Sequence, residues 1–434
     1  MVNPMRSQRD VIEAAERYRI LSFARLEPIV IVEGRGASVW DMDGREYIDC
    51  YSGISVVNTG HCPARVVEAV KRQAERLIHC GPYVYHSLPT TELAVKLAEI
   101  TPPGLKRAFF GNSGAEANEC ALKLAKKFTK RHEIIALECS FHGRTIGTLS
   151  VTGQSRRRRY DMGPYLSGVS FAPAPYCYRC PMGRSYPECD LLCARRIEEV
   201  IDYHTSNNVA ALIAEPILGE GGIIVPPDDY FKVVKELLEA RDILLILDEV
   251  QTGFARTGRM FAVEHYGVEP DMMTLGKAIA AGLPLGACIA REDVGMAFEP
   301  GDHLSTFGGN PVCCAAALEN IRILEEEHLA EGAEEKGRYL MRRLEEMKES
   351  QSLIGDVRGK GLMVGVELVK DRRSKRPAVE EASRVREEMR NRGVLIGVGG
   401  VKGSTLRFQP PLIISKEQLD RVLEALEGSL SRIG

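Results

Sequence analysis

The sequence predicts an α/β protein: a large domain with a mostly parallel sheet covered by helices, plus a smaller α+β domain built from both chain ends. Three observations carry this expectation. The chain has 434 residues, more than one domain usually holds, which points to two packed domains that each bury a core. Between positions 66 and 311, short apolar strands alternate with amphipathic helices, the pattern of a parallel sheet with helical crossovers. The two ends break that rhythm, so 1–65 and 312–434 are assigned to the two parts of the small domain and 66–311 to the large one.

The first sixty or so residues alternate strand-like pieces with turns; in SVWDMDGREYIDC, Asp43-Gly44 separates two alternating runs and reads as a hairpin. RAFF, IIALEC, AALIAEP and ILLILDEV are the clearest strands of the central part. The basic run from Arg156 to Arg159 reads as a solvated or interface-facing loop. Beyond Pro311 a charged amphipathic stretch, AALENIRILEEEHLAEGAEEKGRYLMRRLEEMKES, precedes strands around GLMVGVELV and TLRFQPPL and a closing helix near KEQLDRVLEALEGSL.

A net charge of −3, from 57 basic and 60 acidic residues, gives no electrostatic ground for nucleic acid or an anionic membrane as partner. Small-molecule chemistry is the expectation. No apolar run approaches the roughly 20 residues of a membrane-spanning helix, and the start carries charges where a signal peptide would be apolar. A cytoplasmic protein is expected. Among twelve cysteines, Cys120, Cys288, Cys313 and Cys314 sit in apolar stretches where a thiol behaves as a small hydrophobe.

Four segments carry chemistry. In FFGNSGAEANECALKLAKKF a strand end, a turn and a helix start place Ser113, Gly114 and Ala115 where free backbone N–H groups and the helix dipole cradle a phosphate; an ordinary N-cap is the other reading. SFHGRT follows the next strand, with Phe141 available to lie on a heteroaromatic ring and Arg144 to meet a carboxylate, a packed aromatic and a surface arginine being the other reading. ILLILDEV ends in Asp248, which either caps a loop or keeps a pyridine nitrogen protonated, making the ring an electron sink. In MMTLGKAIAAGLPLG, Lys277 interrupts an apolar run, where desolvation favours the neutral amine that forms a Schiff base, unless the side chain simply snorkels. Together these are the four contacts that pyridoxal phosphate requires.

With WDMDGREYIDC, VVNTGH, FGNSGAEANECALKLA, FHGRT, AEPILGEGG, LDEVQTGFARTG, LGKAIAAGLPLGA and TFGGNP, the chain resembles the class III aminotransferases of fold type I, 4-aminobutyrate aminotransferase in particular. The resemblance implies a pyridoxal 5′-phosphate enzyme with Lys277 as Schiff-base lysine and proton carrier, and Asp248 on the pyridine nitrogen. It also implies Val250 under the ring, Gln251 on the ring oxygen, and His142 and Glu215 among the cofactor contacts. Thr306 would reach the phosphate from the other subunit of a homodimer with shared sites. The implied reaction is ping-pong transfer of an amino group from an amino acid or ω-amine to a 2-oxo acid such as 2-oxoglutarate or pyruvate.

For substrate, the resemblance pairs Glu220 with Arg407, frees Arg407 for an α-carboxylate, and gives Arg144 the distal carboxylate. The resemblance puts tyrosine at the position of Ile54 in ornithine aminotransferases and isoleucine in the aminobutyrate enzymes, which favours an aminobutyrate-like donor; an ornithine or acetylornithine type, an amine:pyruvate aminotransferase and an amino-acid racemase on the same cofactor stay open. No metal is assigned. The only candidates are Cys177, Cys180, Cys189 and Cys193, which are arranged for zinc, an iron–sulfur cluster, two disulfides or four free thiols. The short spacing and the lack of a histidine ligand weigh against metal, and either way a structural role is expected.

Overall fold

A computed structural model describes residues 7–20, 22, 27–154 and 158–433. Its first sheet holds β1 (Ile31–Arg35), β2 (Ser38–Asp41) and β3 (Glu46–Asp49). β2 and β3 form the expected hairpin, with Trp40 opposite Glu46 across the Asp43-Gly44 turn. The N-terminal expectation of strands and turns alone is corrected by a helix at Gln8–Tyr18. Ser7 and Asp10 cap it reciprocally, a signal present in the sequence. Val11, Ile12 and Ala15 recur at helical spacing on one face, a second signal the sequence carried, although no residue of this helix is buried.

The central sheet contains β4 (Leu105–Gly111), β5 (Glu133–Leu137), β6 (Val169–Ala172), β7 (Val209–Ala214), β8 (Leu244–Asp248), β9 (Met272–Leu275) and β10 (Gly286–Arg291). Their spatial order is β4-β10-β9-β8-β7-β5-β6, and only β10 runs against the rest. β7 and β8 are buried at every position, which is why they read as continuous apolar runs. Side chains alternate between two cores: Ile135, Leu212, Leu245 and Leu247 face one side, and Ile134, Ala211, Ile213 and Ile246 the other. The helix Gly114–Thr129 packs on the second side, while Leu192–His204 and Tyr230–Glu239 pack together beside β6 and β8.

The C-terminal region supplies β11 (Ile354–Lys360), β12 (Met363–Asp371), β13 (Arg376–Pro377), β14 (Val394–Leu395), β15 (Gly397–Gly399) and β16 (Thr405–Phe408). β11-β12-β16-β15 form an antiparallel sheet with β13 on β12, whereas β14 pairs in parallel with β3, so one sheet draws on both chain ends. The charged stretch after Pro311 is two helices, Pro311–Glu326 and Leu329–Ser350, and the closing helix spans Lys416–Ile433.

Candidate active site

Five parallel strands deliver the predicted residues to their carboxyl edge: β4 leads to Ser113, β5 to Phe141 and His142, β7 to Glu215, β8 to Asp248, and β9 to Lys277. The Ser113 hydroxyl accepts the Glu116 N–H at 3.2 Å and caps the helix Gly114–Thr129. The first-turn N–H groups at Gly114 and Ala115 have no carbonyl partner inside that helix, which leaves an anion cradle. A Cβ on Gly114 would stand 2.6 Å from Val250 Cγ1, and one on Gly276 3.2 Å from the Gly114 backbone. Glycine at both positions lets Val250 and the Lys277 turn close directly onto the cradle. Lys277 itself has a φ of 43°, a left-handed conformation of the kind held at functional sites.

Asp248 is anchored from three directions. Its Oδ2 accepts from Asn118 Nδ2 at 2.8 Å and lies 2.7 Å from His142 Nδ1; because a carboxylate only accepts, that histidine nitrogen must carry the proton. Its Oδ1 accepts the Val250 N–H at 3.0 Å. Asn118 is fixed in turn by Thr274, whose hydroxyl donates to Asn118 Oδ1 at 2.6 Å. The neighbouring Glu249 turns into the protein, accepts from the Thr252 hydroxyl and the Val263 N–H, and is pushed up to about 7 by burial. Of the acidic pair, Asp248 therefore faces the site.

Lys277 keeps a little solvent access, yet burial lowers its pKa against the opposing pull of Glu220, Asp248 and Glu215. A lowered amine pKa is what a nucleophilic lysine needs. Glu215 receives the Phe141 and Gly219 N–H groups, both at 2.9 Å, and burial pushes its carboxyl up to about 7. It braces the two loops that frame the site. Gln251 is buried and accepts from Gln409 at 2.9 Å.

Arg407 and Glu220 meet as the sequence suggested: Arg407 Nη1 donates to Glu220 Oε1, and the arginine side chain is only 3% exposed. Burial alone would raise the Glu220 carboxyl, but Arg407, Lys277 and Arg158 outweigh it and hold it down at about 2. Arg144 is exposed and rests its guanidinium 5.4 Å from the Phe141 ring centre. Ile54 lies in a turn, Ser52–Ser55, whose four residues all have positive φ, from 51° to 72°. A β-branched residue there is a true backbone outlier. Thr306 is exposed, and no protein partner of its side chain is seen among the described residues.

Three residues at the site escape the sequence reading. Asn118 sits one helical turn beyond Gly114, and its polar side chain in an otherwise apolar helix face was a usable signal. Arg158 corrects the expectation of a solvated basic loop. It donates to Glu220 Oε2 at 2.9 Å and lies 5.4 Å from the Phe141 ring centre, because the buried carboxylate has a second oxygen to satisfy; Arg156 and Arg157 lie outside the described residues. Tyr51 accepts from Arg407 Nη2 at 2.7 Å, and nothing local marks it.

Cys177, Cys180, Cys189 and Cys193 line one cavity of about 10 Å³. All four are free thiols, and no group of three or more ligand-type residues is placed to hold a metal ion among the described residues. Burial raises the Cys177 thiol and takes Cys193 up to about 12, the neighbouring thiols adding to both. The segment is tied to β12 through Arg179 and Tyr176, which both donate to the buried Glu367.

The residues present fit pyridoxal phosphate. An anion cradle, an anchored carboxylate and a lysine with lowered pKa converge, while His142 Nε2, Arg407 Nε and Gln409 Oε1 are buried without protein partners. Buried polar atoms left without a partner among the described residues fit a site built around a group the protein does not itself supply. The family model for class III aminotransferases matches residues 23–430. The chain is 44% identical over 426 residues to a leucine/methionine racemase of Thermococcus litoralis, covering 97% of this chain and 96% of that protein. It is 43% identical over 423 residues to an acetylornithine aminotransferase of Methanothermobacter thermautotrophicus, covering 97% and 98%. Among solved structures, an (S)-enantioselective omega-transaminase from Thermomicrobium roseum superposes with a TM-score of 0.92 at 35% identity, over 98% of each chain. The chain belongs to the class III aminotransferases, fold type I enzymes that depend on pyridoxal phosphate.

Proposed function

We propose that the protein is a transaminase that takes the terminal amino group of a carboxylate-bearing, 4-aminobutyrate-like donor and passes it to a 2-oxo acid such as 2-oxoglutarate or pyruvate. The buried Arg407–Glu220 pair carries this reading. An arginine that binds an α-carboxylate leaves a costly unpaired charge whenever the ligand has none. A built-in carboxylate solves that problem, and a racemase, whose every ligand carries an α-carboxylate, would not need one.

Ser113, Gly114 and Ala115 would hold the cofactor phosphate, Val250 and Phe141 its ring, Gln251 its ring oxygen, and Asp248 its nitrogen. When bound, the cofactor supplies an electron sink for the bond cleaved at the substrate carbon. Lys277 would hold the cofactor through its amine, and its Nζ would carry the proton between the substrate carbon and the cofactor carbon, as base and then as acid. Arg144 takes the distal carboxylate beside Ile54. Arg407 takes the α-carboxylate of the acceptor, and Glu220 neutralises Arg407 for the donor.

Arg407→Ala is expected to damage the half-reaction with 2-oxoglutarate or glutamate by roughly 2–5 kcal/mol, the scale of losing a buried charged partner, and the ω-amino half-reaction much less. Single-turnover kinetics of each half separates the two, and equal damage to both makes Arg407 a structural residue. A panel of amino donors against 2-oxoglutarate and pyruvate identifies the substrates. Loss of optical rotation without a ketone acceptor would replace the transaminase reading with a racemase.

A homodimer is supported by an apolar surface around Thr306. Leu304 and Phe307 are each 63% exposed and Ile78 64%, and the His79 ring packs at a tilt of 43° against Phe307 with ring centres 5.5 Å apart. Patches of this kind mark subunit contacts, and placing Thr306 there lets it reach a partner's phosphate site. Sedimentation at twice the monomer mass is the expected result, and a monomer that turns over would refute shared sites. The free thiols suit a reducing compartment such as the cytoplasm.

A further inference from the structure

Tyr51 lies where its two polar options both involve the specificity arginine. Its hydroxyl accepts from Arg407 Nη2 at 2.7 Å, and the Arg407 guanidinium carbon is 5.3 Å from its ring centre. The same guanidinium reaches Glu220 through Nη1, so Tyr51 and Glu220 hold it together in one orientation.

The surrounding structure is built to keep the ring there. Gly397 and Gly399 lie on one face of β15, two residues apart. A Cβ on Gly397 would stand 2.3 Å from the Tyr51 ring, and one on Gly399 3.4 Å from the Arg407 guanidinium. The two glycines thus form a flat bed, one under each partner. Gly397 is also the register partner of Arg407 across β15 and β16, so ring and guanidinium are set side by side by the sheet itself.

The chain around Tyr51 is equally fixed. Asp49 Oδ1 accepts both the Tyr51 and Ser52 N–H groups at 2.9 Å, and Asp49 Oδ2 lies 2.8 Å from His61 Nε2. That anchor starts the left-handed turn Ser52–Ser55, a strained conformation that persists only where the surroundings over-determine it. Tyr51 also lines a cavity of about 760 Å³ whose walls include Val11, Ile12, Ala15 and Val398.

We infer that Tyr51 is a specificity-determining residue that latches Arg407 onto Glu220, favouring donors without an α-carboxylate and making 2-oxo acids compete for the arginine. This rests on the Arg407–Glu220 exchange proposed above. Arg158, on the other oxygen of Glu220, keeps that carboxylate paired after Arg407 departs, and the Tyr51 latch adds to the Glu220 charge in setting how readily the arginine is released.

The test compares single-turnover half-reactions of the holoenzyme for the parent, Tyr51→Phe, Tyr51→Leu, Arg407→Ala and the double variant Tyr51→Phe/Arg407→Ala. Tyr51→Phe keeps the ring on its glycine bed and removes one hydrogen bond to a charged group. Its KM for 2-oxoglutarate is expected to fall about fivefold and its KM for an ω-amino donor to rise by a similar factor, with maximal rates little changed. Tyr51→Leu should move both values further in the same directions, and Tyr51→Phe should have no effect on 2-oxoglutarate once Arg407 is gone. Parallel loss in both half-reactions, or an effect that survives in the Arg407→Ala background, would overturn the latch. If Arg407→Ala damages the two halves unequally while Tyr51→Phe gives no opposed shift, the latch alone fails; if Arg407→Ala damages them equally, the exchange and the latch fail together.

Discussion

Lys277→Ala should lose at least about 1000-fold in turnover, within the 10²–10⁴ range that one positioned acid–base group supplies, and retain its fold. Retention follows from the local geometry. Alanine takes the φ of 43° no worse than lysine does, the cradle depends on Gly114 and Gly276, and Asp248 is held by Asn118, His142 and the Val250 N–H. Thermal unfolding should match the parent, and phosphate should still compete for the cradle. Borohydride reduction of the parent followed by peptide mapping should tie the cofactor to Lys277. Label on another lysine would sink the assignment, and so would a variant that turns over within tenfold of the parent.

Lys277 and Asp248 were legible in the sequence for one reason: each is a charge in or at the end of an apolar run, and burying such a charge is too costly to be accidental. The parallel sheet was legible for the related reason that β7 and β8, buried throughout, leave uninterrupted apolar runs. Two of its shorter strands were not. β6 is an edge strand with only one fully buried residue, and β9 is four residues long and merges with the Lys277 segment. Neither carries enough periodicity to stand out.

The residues proposed to set specificity were legible only through family resemblance, and then only in part. Glu220 and Arg407 are 187 residues apart, Tyr51 and Arg407 356 apart, and Arg158 and Glu220 62 apart. No local spacing rule connects such positions. Arg158 looked like part of a solvated basic run because composition alone does not set it apart from the arginines beside it in the sequence. What the sequence did contain was the glycine pattern GVGG at 397–400, whose use, as a bed for a ring and a guanidinium, appears only when β15 lies beside β16.

Asp248→Asn should bind cofactor and yet lose at least about 100-fold in turnover, by analogy with removing one preorganised group that faces developing charge. The substitution keeps the size of the side chain and removes its charge, so a pyridinium proton opposite it would no longer be held. Local pairing makes the change harsher than its shape suggests. Oδ2 faces two donors, Asn118 Nδ2 and His142 Nδ1, and Oδ1 faces the Val250 N–H. An amide can offer its oxygen to only one of these sides, so its NH₂ must meet a donor on the other. Placing the oxygen toward Asn118 and His142 satisfies two contacts and sets the NH₂ against the Val250 N–H. The floor under the ring is then disturbed as well as the charge. Absorbance of the bound cofactor reports occupancy and single-turnover rates report chemistry; full occupancy with slow chemistry is the expected pair. Chemistry within a few-fold of the parent would show that Asp248 only caps the end of β8, and loss of occupancy with normal chemistry in the residual holoenzyme would make it a binding residue without a part in the electron sink.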